Sequence, residues 1–131
     1  MLKRTTRIDS HRDLLVWQKA MDLVDAVYDL VEEFPAKETY GLSSQLTRAV
    51  VSVPANIAEG RARSTARDFA NFITIARSSL MEVETLLTIA VRRRYVTPAA
   101  AERALSGIVE VSKMLSSLRS SILRPSRKSH D

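Results

Sequence analysis

The stretch Leu42-Ser-Ser-Gln-Leu-Thr-Arg-Ala-Val-Val-Ser-Val-Pro-Ala-Asn-Ile-Ala-Glu-Gly60 carries two rows of side chains at about 3.6 residues per helical turn. One row is apolar and is typical of a helix that packs inside a bundle. It consists of Leu46, Val50, Val53 and Ile57. Pro54 removes one backbone donor and predicts a kink, and Gly60 is expected to end the helix in the left-handed conformation.

The second row is polar, yet small apolar residues, among them Val51 and Ala55, lie beyond it where an exposed face would carry Lys and Glu. The row consists of Gln45, Arg48, Ser52, Asn56 and Glu59. Because buried polar groups need partners, we favour a structural row that a neighbouring helix or a second subunit satisfies. The alternative is an exposed face with weak patterning.

The rest of the chain consists of further amphipathic segments joined by short connections. The pattern predicts one all-α domain over residues 1–131, an antiparallel up-down-up-down four-helix bundle with helices at about 13–34, 40–59, 65–93 and 98–123. The first helix carries two apolar rows, one of them formed by Trp17, Met21, Val24, Tyr28 and Val31. A helix of a monomer needs only one such row, so we expect burial on two sides and a symmetric oligomer.

Composition limits the classes of partner. The 131 residues have a net charge of +5, which favours an anionic partner. The chain has no cysteine, so it suits a reducing cytoplasm and excludes disulfides and thiolate metal sites. No apolar run approaches the roughly 20 residues of a membrane span, so no membrane partner is expected.

The bundle topology brings both termini and the second connection to one end, which we call the basic end. Its cations are the candidate nucleic-acid-binding residues: Arg4, Arg7, Arg12, Arg61, Arg63, Arg67, Arg119, Arg124, Arg127 and Lys128. Only Ala, Ser and Thr separate the arginines of the second connection, whereas base-stacking modules place aromatic residues there. The sequence therefore predicts contacts with phosphates and not with bases.

No arrangement of residues supports catalysis. The two histidines, His11 and His130, lie near the chain ends, and the sequence has neither a Glu-x-x-His pair nor a glycine-rich phosphate loop. We therefore expect a protein that is not an enzyme and has no catalytic residue, metal or cofactor.

Two functions remain open from the residues alone. The first is an oligomer that binds the backbone of RNA or DNA with its basic end. The second is a protein–protein interaction scaffold that uses its wide apolar faces and does not contact nucleic acid. Two interpretations of Arg92-Arg-Arg94 at the other end also remain open: it binds phosphate, or it is the end of a helix whose positive charge complements the helix dipole.

Several motifs in order, over roughly residues 13–122, resemble a known bacterial family. They include Val16-Trp-Gln-Lys-Ala20, Tyr40-Gly-Leu42 and Pro54-Ala-Asn-Ile-Ala-Glu-Gly60. The chain resembles the four-helix bundle proteins encoded by intervening sequences of 23S ribosomal RNA genes. It departs from that pattern at Ser78, where glycine is commoner, and at Arg92-Arg-Arg94, where a less charged Leu-Gly-like segment precedes the tyrosine.

The resemblance implies a ring-shaped assembly, a homopentamer. It also implies kinship with the accessory variability proteins of diversity-generating retroelements, which are basic bundles associated with nucleic acid and a reverse transcriptase. A ring would repeat the basic end around one axis and so strengthen the nucleic-acid hypothesis.

Overall fold

The computed structural model describes residues 11–125, and within this range it contains helices and no strand. A short 3-10 helix, His11–Asp13, precedes α1 (Leu15–Val31). A second one, Ala36–Glu38, precedes α2 (Leu42–Arg61), and α3 (Ala66–Arg92) and α4 (Pro98–Leu123) follow. The predicted all-α four-helix bundle is confirmed.

Each helix packs against its sequence neighbours, and α4 closes the bundle against α1. The connection between α1 and α2 meets the one between α3 and α4, because the rings of Phe34 and Tyr95 lie 5.7 Å apart. The connection between α2 and α3 lies at the opposite end, next to the start of α1 and the end of α4. The bundle therefore has the two ends that the sequence predicts.

The core is apolar, and no polar or charged residue among those described is buried. The four apolar residues of α2 named above are fully buried, and so are Ala20 and Val27 of α1. Burying a Leu, Ile or Val side chain contributes about 1.5–3 kcal/mol. These rows are therefore the main source of stability.

Two helix starts follow the sequence signals. The Thr65 hydroxyl accepts a hydrogen bond from the Asp68 N–H (3.1 Å), and the Thr97 hydroxyl accepts one from the Ala100 N–H (3.0 Å). Thr97 precedes Pro98 at the first helical position. Thr65 and Thr97 are therefore the N-caps of α3 and α4.

Several helix boundaries differ by two or three residues from the approximate predicted bounds. The first helix ends at Val31, because the Phe34 N–H bonds the Val31 carbonyl (3.0 Å) in a tighter turn before Pro35. The second begins at Leu42 and not at Tyr40. Its start is set by Glu38, whose carboxylate accepts the Leu42 N–H (2.9 Å).

Glu38 also joins two connections that are far apart in sequence, since its carboxylate accepts the Tyr95 hydroxyl (2.8 Å). The bonds from the Leu42 N–H and then from Tyr95 lower the pKa of Glu38, and the bond to Glu38 raises the pKa of Tyr95. A lowered carboxyl pKa means that the contribution of Glu38 is lost as pH falls through that pKa. A raised tyrosine pKa means that the contribution of Tyr95 is lost as pH rises through it. The hydrogen bond between Glu38 and Tyr95 is therefore most stabilising at pH values between the pKa of Glu38 and the pKa of Tyr95.

The basic segment after α3 contains the one non-glycine residue with positive φ among those described, Arg94 at 66°. The Tyr95 N–H bonds the Ala90 carbonyl (2.9 Å) and the Arg94 N–H bonds the Val91 carbonyl (2.9 Å). This is a Schellman motif with arginine at the position that glycine usually takes.

The expectation that Gly60 ends α2 was wrong. Gly60 lies inside α2, no glycine among the described residues has positive φ, and α2 continues through Pro54 to Arg61. A Cβ at position 60 would lie 2.7 Å from the Cβ of Phe72 and 3.0 Å from Cδ1 of Phe69. Gly60 is therefore required by the close approach of α2 to α3.

We predict that Gly60→Ala destabilises the protein although alanine is the better helix former. Overpacking costs roughly 1–3 kcal/mol, which exceeds the roughly 1 kcal/mol that alanine gains in a helix. The matched control is Gly107→Ala in α4, where a Cβ would lie 3.2 Å from Cδ1 of Leu23, the one contact within 4 Å. Urea unfolding should show a larger loss of stability for position 60 than for position 107. Equal effects of the two substitutions would contradict this role of Gly60.

Candidate nucleic-acid interface

The candidate nucleic-acid-binding residues fall into a described and an undescribed group. Arg4, Arg7, Arg127 and Lys128 lie outside the described residues. The structure describes Arg12, Arg61, Arg63, Arg67, Arg119 and Arg124. The described group lies at the basic end: Arg12 in the 3-10 helix before α1, Arg61 at the end of α2, Arg63 on the second connection, Arg67 in the first turn of α3, and Arg119 and Arg124 at the end of α4.

Arg63 is held by two interactions. Its guanidinium donates a hydrogen bond to the Glu59 carboxylate one turn earlier and lies 4.7 Å from the centre of the Phe72 ring. Both interactions occupy the cation, so Arg63 is less available to an anion than an unengaged arginine. The aromatic partner could not be found in the local sequence, because Phe72 approaches from the next helix.

The other described arginines of the basic end differ in how available their side chains are to bind an anion. Arg67 and Arg124 are exposed and make no side-chain hydrogen bond or ion pair with the described residues. Arg67 lies in the first turn of α3, where the helix dipole adds positive potential. Arg61 and Arg12 are engaged in contacts of their own, and Arg119 donates from Nε to the Thr74 hydroxyl (2.8 Å).

The structure brings together only part of the polar row of α2. The hydroxyls of Ser52 and Ser79 lie 2.7 Å apart across the contact between α2 and α3. Asn56 Nδ2 donates to the carbonyl (2.8 Å) and to the hydroxyl (2.9 Å) of Ser52. Gln45 and Arg48 are exposed. Ser79 was not predicted as a partner of this row. The sequence feature that could have identified it is a small polar residue next to the apolar face of α3.

The outer apolar row of α1 is only partly covered. Met21 is 39% and Tyr28 47% exposed, and on α2 Val51 is 42% exposed. Trp17 is half-buried against the core, and its ring lies 5.1 Å from that of His11. We call the surface of Met21, Tyr28 and Val51, with the exposed Ala55, the α1–α2 apolar face.

The described part of the chain has neither a candidate metal site nor a candidate membrane-spanning helix. No group of His, Cys, Asp and Glu side chains in residues 11–125 is arranged to hold a metal ion. None of the helices in that range is long and apolar enough to cross a membrane.

Comparison with known proteins identifies relatives of the same fold. A family model described as 23S rRNA-intervening sequence protein matches residues 12–117. A crystal structure from Bacteroides thetaiotaomicron, of a protein with unknown function from the S23 ribosomal protein family, is similar with a TM-score of 0.74. It is 25% identical over 80% of this chain and 98% of that chain. A comparison with curated proteins found no match.

We predict that Asn56 stabilises the bundle through Ser52. Asn56→Leu removes both hydrogen bonds and should lower the free energy of unfolding by about 1 kcal/mol. Gln45→Leu changes an exposed residue of the same row and should stay within about 0.5 kcal/mol of the parent chain. Thermal melts of both variants measure the difference. An Asn56→Leu variant as stable as the parent would show that these bonds contribute nothing.

Proposed function

This chain belongs to the 23S rRNA-intervening sequence protein family, and on that premise we propose that it binds nucleic acid as a cytoplasmic oligomer without enzymatic activity. The ligand is the phosphate backbone of RNA or DNA, and the binding surface is the basic end. One observation carries the proposal: Arg67 and Arg124 are exposed at this end and make no side-chain hydrogen bond or ion pair with the described residues.

The described acidic residues of this end, Asp13, Glu59 and Asp68, are fewer than its six described arginines. Glu59 is paired with Arg63, and Asp68 lies in the first turn of α3, where its N–H is capped by Thr65. A phosphate needs cations that hold no carboxylate already, because an ion pair has to be broken before the anion binds. The unengaged arginines supply such cations.

The same surface favours phosphates over bases. The guanidinium of Arg63, on the second connection, lies over the ring of Phe72. Stacking of a base on Phe72 would require displacement of Arg63. Binding should therefore be weakly selective for sequence and strongly dependent on salt.

We predict that the double substitution Arg67→Gln, Arg124→Gln weakens binding to duplex DNA and to single-stranded RNA. On duplex DNA the slope of log affinity against log salt should fall in magnitude by about 0.9 for each phosphate that the variant no longer neutralises. Fluorescence anisotropy over a salt series measures it. The control is Lys37→Gln, Arg92→Gln, which removes the same charge from exposed residues at the opposite end. Equal slopes for the parent chain and the Arg67, Arg124 variant would refute binding through the basic end.

We further propose that the chain is a homo-oligomer. The α1–α2 apolar face would be covered by another subunit, because exposed apolar surfaces of this kind often mark protein contacts. A homopentamer fits the family resemblance, and a closed ring with an odd number of subunits requires contact between two different surfaces of the chain.

We predict that the parent chain is larger than its monomer mass of 14.6 kDa in solution. Met21→Glu, Tyr28→Glu places charges on the α1–α2 apolar face and should shift the mass toward the monomer, because charged residues are depleted at the centre of interfaces. Light scattering measures it, with Lys37→Gln, Arg92→Gln again as the control. A monomeric parent chain would contradict the oligomer.

The second candidate function is a scaffold for another protein, such as a reverse transcriptase, without contact to nucleic acid. The exposure of Tyr40, which is 96%, and of the α1–α2 apolar face favours it. Absence of nucleic-acid binding by a well-folded oligomer would select this function.

A further inference from the structure

A shallow groove of about 260 Å³ runs between α3 and α4 on the side of the bundle away from the α1–α2 apolar face. Arg77, Met81 and three hydroxyl residues line it: Thr74, Ser78 and Ser112. The lining contains no carboxylate and no aromatic ring among the described residues. Its donors are of the kinds that contact phosphate and sugar oxygens in nucleic-acid complexes.

Two arginines can present donors along this groove. Arg119 is half-buried and is held through Nε by the Thr74 hydroxyl, which donates in turn to the Ala70 carbonyl (3.2 Å). This bond leaves the two terminal nitrogens of Arg119 without an acceptor among the described residues. Arg77 is exposed and makes no hydrogen bond or ion pair with the described residues.

The absence of acidic residues continues beyond the groove lining. No Asp or Glu occurs in residues 69–81 of α3 or in residues 111–123 of α4, whereas these segments contain Arg77, Lys113 and Arg119. The acidic residues Glu82 and Glu84 of α3 and Glu102 and Glu110 of α4 lie outside these segments. The segments that flank the groove on this side of the bundle therefore carry positive charge and no negative charge.

This side adjoins the basic end, because α3 begins there and α4 ends there. Arg67 and Arg77 are ten positions apart in α3, which corresponds to about 15 Å at a rise of about 1.5 Å per residue. A nucleic-acid strand with a rise of about 3.4 Å per nucleotide places roughly four phosphates along that length.

We infer that the groove between α3 and α4 is a second segment of the nucleic-acid-binding surface, along which a phosphodiester backbone continues from the basic end. The inference rests on the proposed function and assigns phosphate binding to Arg77 and Arg119, with the groove hydroxyls as additional donors. An acidic protein is the less suitable occupant. Protein interfaces need buried apolar or aromatic anchors, and Met81 is the one apolar residue of the lining among those described.

The test compares pairs of substitutions that each remove the same charge. Arg77→Gln, Arg119→Gln changes the groove, Arg67→Gln, Arg124→Gln changes the basic end, and Lys37→Gln, Arg92→Gln changes the opposite end. Binding of labelled duplex DNA and single-stranded RNA is measured by anisotropy over a salt series. Arg119→Gln also removes the hydrogen bond between Arg119 and Thr74, which could disturb folding. The single variant Arg77→Gln leaves that bond in place and is therefore measured as well.

We expect the groove pair to reduce the magnitude of the duplex salt slope by about 0.9 for each phosphate released, and the opposite-end pair to leave it unchanged. Parent-like binding by the groove pair, with weaker binding by the basic-end pair, would overturn the inference and leave the proposed function intact. An equal reduction in the opposite-end pair would also overturn the inference, because the effect would then be one of net charge. Absence of binding by the parent chain would refute the proposed function itself. Binding of a polyglutamate peptide as tight as that of RNA would overturn nucleic acid as the occupant.

Discussion

The close approach of α2 to α3 is the constraint on which the rest of the structure depends. It requires a residue without a side chain at Gly60, because the Cβ of Phe72 occupies the space that a Cβ there would need. Farther along the same pair of helices, the hydroxyls of Ser52 and Ser79 meet at 2.7 Å. Small residues along this seam allow the apolar rows of both helices to face the common core.

This close approach also determines which cations can meet a ligand. The Cβ of Phe72 lies next to Gly60, and the guanidinium of Arg63 lies over the Phe72 ring. Arg63 is thus part of the structural joint between α2 and α3, and Glu59 completes it. The cations that remain available lie at the start of α3, at the end of α4 and in the groove between these two helices. The segments of α3 and α4 that flank this groove, residues 69–81 and 111–123, contain no Asp or Glu, so the groove cations have no acidic neighbour within their own segments.

Local patterns in the sequence were enough to predict the fold. The apolar rows of α1 and α2, the caps at Thr65 and Thr97 and the short connections each act within a few residues, and together they require a bundle. Gly60 was misinterpreted because the residues that require a glycine there, Phe69 and Phe72, belong to another helix. The bond between Glu38 and Tyr95 joins residues 57 positions apart and could not be inferred from spacing. For the candidate site, the sequence indicated which cations could be brought together, but it could not show that Arg63 is engaged.

The proposed nucleic-acid site combines the basic end with the side of the bundle formed by α3 and α4. The most direct measurement is a titration of the isotope-labelled protein with single-stranded RNA, in which the amide resonances are followed by NMR. We expect chemical-shift changes in the first turns of α3, along the groove to Met81 and in the second half of α4, with Asp22–Asp29 of α1 unaffected. Changes centred on α1, or on the end that contains Glu38 and Tyr95, would contradict the proposed site.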